Sequence, residues 1–152
     1  MANASISDLQ AHTGFWLRYV SNHVSHAFAR KVEELGVTVA EWVILREMYS
    51  TDSIAPSELA ERTGLTRGAV SKLAERLLSK KLISRAYSTV DRRWQTLALT
   101  VSGRRLVPQL AQLADANDEE FFSCLPARER SMLLDTLKKL VKLNQLSTLP
   151  VD

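Results

Sequence analysis

One cysteine, Cys124, stands among 152 residues. A lone thiol excludes an internal disulfide and any cysteine-only zinc cage within one chain. Histidine is scarce as well: His12, His23 and His26 all lie near the N-terminus, far in sequence from Cys124. No Gly-rich phosphate loop, paired-acid motif or nucleophile motif is present, which removes the common enzyme classes. The expectation is a protein that is not an enzyme, with no catalytic residue, cofactor or metal site. No apolar run approaches the roughly 18 residues that a membrane span requires, and MANASISDLQ lacks signal-peptide character. A cytoplasmic protein without a membrane partner is therefore expected.

What is present is ordinary in amount and uneven in placement. The 45% hydrophobic content suits a globular chain of one domain, or one small domain with long helical extensions. The net charge is only +3, yet residues 54–105 hold eleven Lys/Arg against four Asp/Glu, a net +7, and the remainder nets −4. Such segregation directs one segment toward a polyanion and keeps the flanks away from it. No internal repeat, low-complexity segment or long linker divides the chain.

The hydrophobic period along the chain is mostly helical. After a possible serine cap at Ser5-Ile6-Ser7-Asp8, apolar Leu9, Trp16, Val20, Val24 and Phe28 recur at helical spacing to about Leu35. A helix this long projects from a small domain unless a partner chain covers it. Gly36 ends it, and Thr38-Val39-Ala40-Glu41 forms a capping box for a second helix through Trp42, Leu45 and Met48. Pro56 suits the first position of a short third helix, which Gly64 closes in a left-handed conformation. Thr66 caps a fourth helix whose inner face is Val70, Leu73, Ala74 and Leu77. Gly68, Lys72 and Arg76 lie opposite, and Arg67 sits in the exposed first turn. Gly68 permits close approach to DNA, or is a tolerated first-turn glycine.

From Leu82 to Leu99 the period becomes two, with a polar turn that carries Asp91-Arg92-Arg93 between two strands. Thr100 and Ser102 then cap a helix with Leu106, Leu110, Leu113 and Phe121 on a helical repeat. Leu125-Pro126 breaks the chain. A last helix, to about Leu146, sets Leu133, Leu137, Leu140 and Val141 on one face. The fold expected is mainly α with a small β wing: a winged helix-turn-helix at 36–103, and dimerisation helices at 1–35 and 104–152. A helix with one basic face beside an arginine-tipped hairpin suits DNA, because a helix fits the major groove and Arg/Lys pair with phosphates.

With these residues laid out, the chain resembles the MarR family of bacterial winged-helix transcription regulators. Asp91-Arg92-Arg93-Trp94-Gln95-Thr96-Leu97-Ala98-Leu99-Thr100-Val101-Ser102-Gly103 fits the family wing pattern D-x-R-x-x-x-L-x-L-T-x-x-G. Glu58-Leu59-Ala60 and the helix from Thr66 to Leu78 fit its helix-turn-helix, and Thr38 to Leu45 resembles its second helix. One departure is Lys81, where many members carry glycine.

The resemblance implies a homodimer with interlocked terminal helices, acting on a palindromic operator in double-stranded DNA. It implies a transcriptional regulator, in the first instance a repressor, released by a small aromatic or phenolic effector. It places Arg93 in the minor groove and Asp91 as the acid that holds basic neighbours. The DNA-facing set it suggests is Thr66, Arg67, Gly68, Ser71, Lys72, Arg76, Arg92 and Arg93. His12, Trp16, Tyr19 and Trp42 are candidates to line an effector pocket, although aromatics at helical spacing are more often core. Alternative readings are a winged-helix protein-interaction module, or a metal- or redox-responsive regulator. For these, His23 and His26 share a helix face but two ligands do not make a site, and Cys124 is expected to be a small, partly buried side chain.

Overall fold

The computed structural model describes residues 5–147. Six α-helices and one two-stranded sheet are arranged as α1 (Thr13–Glu33), α2 (Val39–Tyr49), α3 (Pro56–Thr63), α4 (Arg67–Ser79), β1 (Ile83–Tyr87), β2 (Gln95–Leu99), α5 (Val101–Phe122) and α6 (Ala127–Leu143). This is the mainly helical, winged architecture that the sequence suggests. No helix among the described residues is long and apolar enough to cross a membrane.

The local signals act where they stand. Thr38 Oγ1 accepts from the Glu41 amide and Glu41 Oε2 accepts from the Thr38 amide, so two of the amides orphaned at the start of α2 are satisfied reciprocally. Thr66 and Thr100 accept from Ala69 N and Gly103 N in the same manner at α4 and α5. Such a cap is worth about 1 kcal/mol. Gly64 (φ +73°) turns the chain out of α3, and Leu65 is buried in that turn.

The core lies where α2, α3, α4, the sheet and the first half of α5 meet. Ile44, Leu45, Leu59, Val70, Leu77 and Leu97 are fully enclosed. The sheet is antiparallel with Ile83 opposite Leu99 and Tyr87 opposite Gln95. Ile54 adds a short third rung, exchanging both backbone hydrogen bonds with Leu97 at 2.9 and 2.8 Å. The loop before α3 is thereby pinned to the base of the wing, a long-range pairing with no periodic signature.

Two glycine-type positions frame the wing. Lys81 adopts the left-handed conformation (φ +59°), the geometry that glycine takes without strain. Its carbonyl accepts from Thr100 Oγ1 at 2.8 Å, which ties the start of β1 to the end of β2. Gly103 has the opposite need, for space rather than freedom: a Cβ there would lie 2.1 Å from the Leu82 carbonyl oxygen. The final glycine of the wing pattern thus marks where α5 leaves the sheet at backbone contact.

Several sequence expectations need correction. The first helix is interrupted: Asp8 caps a 3-10 turn over Leu9–Ala11, and α1 starts only at Thr13 after extended His12. Inward positions on α5 are Val107, Leu110 and Asn117, with Leu106, Leu113 and Phe121 only part-buried beside them. α6 ends at Leu143, short of Leu146. Cys124 is exposed, because it follows the C-terminus of α5 on the solvent side.

The outer helices differ from the core in kind. α6 has no buried residue, and Leu133, Leu137, Leu140 and Val141 remain 37–49% exposed. In α1 only Val32, near its C-terminal end, is buried. Gly103→Ala is expected to destabilise the protein by about 1–3 kcal/mol, the usual cost of an overpacked site. Urea denaturation checks this, and a loss under about 0.5 kcal/mol, the range of an ordinary surface change, would mean that the contact is looser than its geometry.

Candidate nucleic-acid interface

Helix α4 is oriented by what it buries. Val70, Leu73, Ala74 and Leu77 face the core. At 100° per residue this leaves Arg67, Gly68, Ser71, Lys72, Glu75 and Arg76 outward, and all six are exposed. A Cβ at Gly68 would meet nothing within 4 Å, so the fold itself does not require glycine there. Arg67 and Lys72 make no ion pair among the described residues, whereas Arg76 approaches Glu41. Thr66 uses its hydroxyl on the helix start.

The wing tip, residues 88–94, is held by its own polar groups. Ser88 N donates to Trp94 O at 2.9 Å, Trp94 N to Asp91 O at 3.0 Å, and the Val90 amide to Ser88 Oγ at 3.2 Å. Asp91 then governs Arg93. Its Oδ1 accepts from the Arg93 amide and from Nε, and its Oδ2 accepts from Nη2 at 2.8 Å. The guanidinium side chain nevertheless remains 88% exposed. The Arg93 side chain, and then its amide, hold the Asp91 carboxyl below the usual aspartate range, while Asp91 raises Arg93 in return. An oriented cation on an exposed loop loses less freedom when it meets a phosphate. Arg92 is exposed and without an ion pair among the described residues.

The structure brings the helix and the wing together. Arg67 and Arg93 line one open cleft of about 350 Å³ with Ser57, at the start of α3, and Trp94. Trp94 is 67% exposed, an uncommon state for so large an apolar ring. Arg85 of β1 pairs with Glu75 of α4, which braces the wing against that helix and raises the arginine's pKa. Glu75 and Arg85 lie on different elements, and nothing in their spacing announces the pair.

Among the described residues the four effector-pocket candidates take different partners, although the Trp16 and Tyr19 rings lie 6.3 Å apart. His12 contacts the Asp8 carbonyl through Nδ1 at 3.0 Å, and Trp16 Nε1 donates to Gln10 O. Tyr19 packs against His23, while Trp42 meets Phe28 edge-on with ring centroids 6.4 Å apart. Among the described residues no group of three His, Cys, Asp or Glu side chains is placed to hold a metal ion.

A family model described as "MarR family" matches residues 35–93, from the turn after α1 to the wing tip. Over these residues the chain is similar to the MarR family. It is 33% identical over 102 residues to the HTH-type transcriptional repressor MdtR of Bacillus subtilis, a match that spans 67% of this chain and 63% of that relative. Among solved structures, Staphylococcus aureus MepR in complex with DNA superimposes with a TM-score of 0.79 at 25% identity, covering 86% of this chain and 97% of MepR. A mutant of Escherichia coli MarR in complex with operator DNA gives the same score and identity over 89% and 99% of the two chains. Members of the MarR family are transcription regulators, not enzymes.

The pairing at the wing makes a testable statement about charge. In Arg93→Ala the Asp91 carboxyl loses its main hydrogen-bond donor and should titrate at higher pH than in the parent. Carboxyl NMR titration reads this directly, and coincident curves would show that the pair does not persist in solution.

Proposed function

We propose that the protein is a homodimeric, sequence-specific DNA-binding repressor that sets α4 in the major groove and the wing in the adjacent minor groove. The observation that carries this reading is the shared cleft of Arg67, at the start of α4, and Arg93, on the wing. Two separate elements direct cations to one exposed surface while the acids nearby orient rather than oppose them. The DNA-bound state of MepR and MarR, and the repressor role of MdtR, support the same reading. Such a protein works in the cytoplasm, where the chromosome lies.

Residues 36–103 form the reading unit in this account, and residues 1–35 and 104–152 the dimerisation region. The exposed apolar faces of α1 and α6 support that division, since burying leucine or valine side chains is worth about 1.5–3 kcal/mol each. Two copies then present two recognition helices to successive major grooves, so the half-sites of a palindromic operator lie about 10 bp apart. For an aromatic or phenolic effector, the cleft of about 180 Å³ between α1, α2 and α5, lined by Phe28, Val39 and Asn117, offers a seat within one chain. An occupant there would press on the joint between helical arm and reading unit.

Selection of genomic fragments by the purified protein, followed by footprinting, tests the reading; a single unpaired half-site would sink the dimer. On a selected fragment, Arg93→Ala should weaken binding by about tenfold or more without unfolding, and Lys72→Ala should lower the salt slope by about one. Unchanged affinity and slope for both would show that the DNA-facing surface lies elsewhere. Removal of residues 127–152 should give monomer or aggregate in light scattering, because the apolar faces lose their cover. A well-behaved DNA-binding dimer after that deletion would refute the role of α6.

A further inference from the structure

Glu41 has a second occupation besides its capping box. Its side chain has no solvent exposure, and the other buried polar side chain among the described residues, Asn117, is uncharged. An ionised carboxylate in such a place needs partners, since removing one partner of a buried pair costs several kcal/mol. One cationic partner, Arg76, comes from α4 and the other, Lys80, is the residue that caps its C-terminus. Lys80 Nζ donates to Oε2 at 2.7 Å and also to the carbonyl of Gly36 at 2.8 Å. Arg76 Nε lies 3.0 Å from Oε1. That contact lacks hydrogen-bond geometry, so Oε1 is held by charge rather than by a directed bond.

The arrangement leaves Arg76 in a particular state. Its Nε edge faces a buried negative charge, the side chain is still 54% exposed, and neither terminal nitrogen makes a hydrogen bond among the described residues. The apolar contacts of α4 are non-directional and tolerate small rotations about its axis. A charge fixed in the interior does not, because Coulomb energy rises steeply where water is excluded.

We propose that Glu41 is a positioning residue of the DNA-reading surface. It holds the inner edge of Arg76 so that the terminal nitrogens face a backbone phosphate, and it acts through Lys80 and Gly36 to tie α4 to the turn where α1 ends. The proposal rests on the DNA-binding reading above. It places on α4 the device that Asp91 supplies on the wing: a carboxylate behind an exposed guanidinium. It also runs from the turn after α1 to α4 through four residues, Gly36, Lys80, Glu41 and Arg76.

The test uses the full chain and a genomic DNA fragment selected by the parent protein. Glu41→Gln keeps an acceptor for the Thr38 amide and removes the charge. Arg76→Ala removes the contact, and Arg76→Lys keeps a charge but on a single nitrogen, which cannot face Glu41 and a phosphate at once. Fluorescence anisotropy at several salt concentrations, with thermal melting on the same samples, reads both affinity and fold. Glu41→Gln, Arg76→Ala and Arg76→Lys should each raise Kd by about tenfold, and the Glu41→Gln/Arg76→Ala double variant should match Arg76→Ala within about twofold. A Glu41→Gln protein that melts earlier but binds with the parent's Kd and salt slope would overturn the proposal. So would independent, multiplying effects in the double variant, or a parental Kd for Arg76→Lys should Glu41→Gln fail to fold. A parent protein that selects no DNA fragment would overturn the DNA-binding reading itself, and this inference with it.

Discussion

Four side chains on one stripe of α4, Val70, Leu73, Ala74 and Leu77, decide where everything else on that helix points. Their burial against α2, α3 and the sheet sets the rotation of the helix to within a fraction of a turn. The exposed row from Arg67 to Arg76 follows from helical geometry alone. The same core holds Ile54 against Leu97, and so the base of the wing against the loop before α3. The two elements that carry the exposed cations therefore rest on one hydrophobic centre. Damage to that centre would move helix and wing together.

Polar contacts then refine what packing has placed. Three acids, Glu41, Glu75 and Asp91, each face an arginine of the basic segment, and each takes a different position relative to solvent. Asp91 sits at the wing tip behind an exposed Arg93. Glu75 links α4 to β1 through Arg85. Glu41 is fully interior and reaches two cations at once, Arg76 of α4 and Lys80 at its C-cap. Exposed pairs contribute little to stability, about 0–1 kcal/mol, so the worth of Asp91 and Glu75 lies in orientation. For Glu41, enclosed beside two cations, geometry and stability are inseparable.

The helical arm follows a different physical rule. α1 and α6 carry leucine, valine and aromatic side chains at core-like spacing, yet the chain folds without covering them. Each exposed methylene forgoes about 0.8 kcal/mol of burial, a loss that a second copy with the same stripe would recover at both faces. Burial thus separates the enclosed centre around α2, α3 and α4 from outer helices whose apolar faces stay exposed.

Much of this was legible in the residues. Caps at Thr38, Thr66 and Thr100, the left-handed glycine at Gly64, the inner stripe of α4 and the Asp91-x-Arg93 wing are local patterns, and each acts over a few residues where its chemistry is written. By itself the chain determined element order, the wing and the basic segment. What it left undecided is long-range. The Ile54–Leu97 rung, the Arg85–Glu75 brace, the Gly103–Leu82 contact and the inward turn of Glu41 join residues 10 to 43 positions apart. No period encodes such a meeting, because it depends on how whole helices pack. Glu41 shows the difference most clearly: as a sequence symbol it is the last letter of a capping box, and only tertiary packing, by closing water out and bringing α4 across it, makes it the charge on which Arg76 and Lys80 converge.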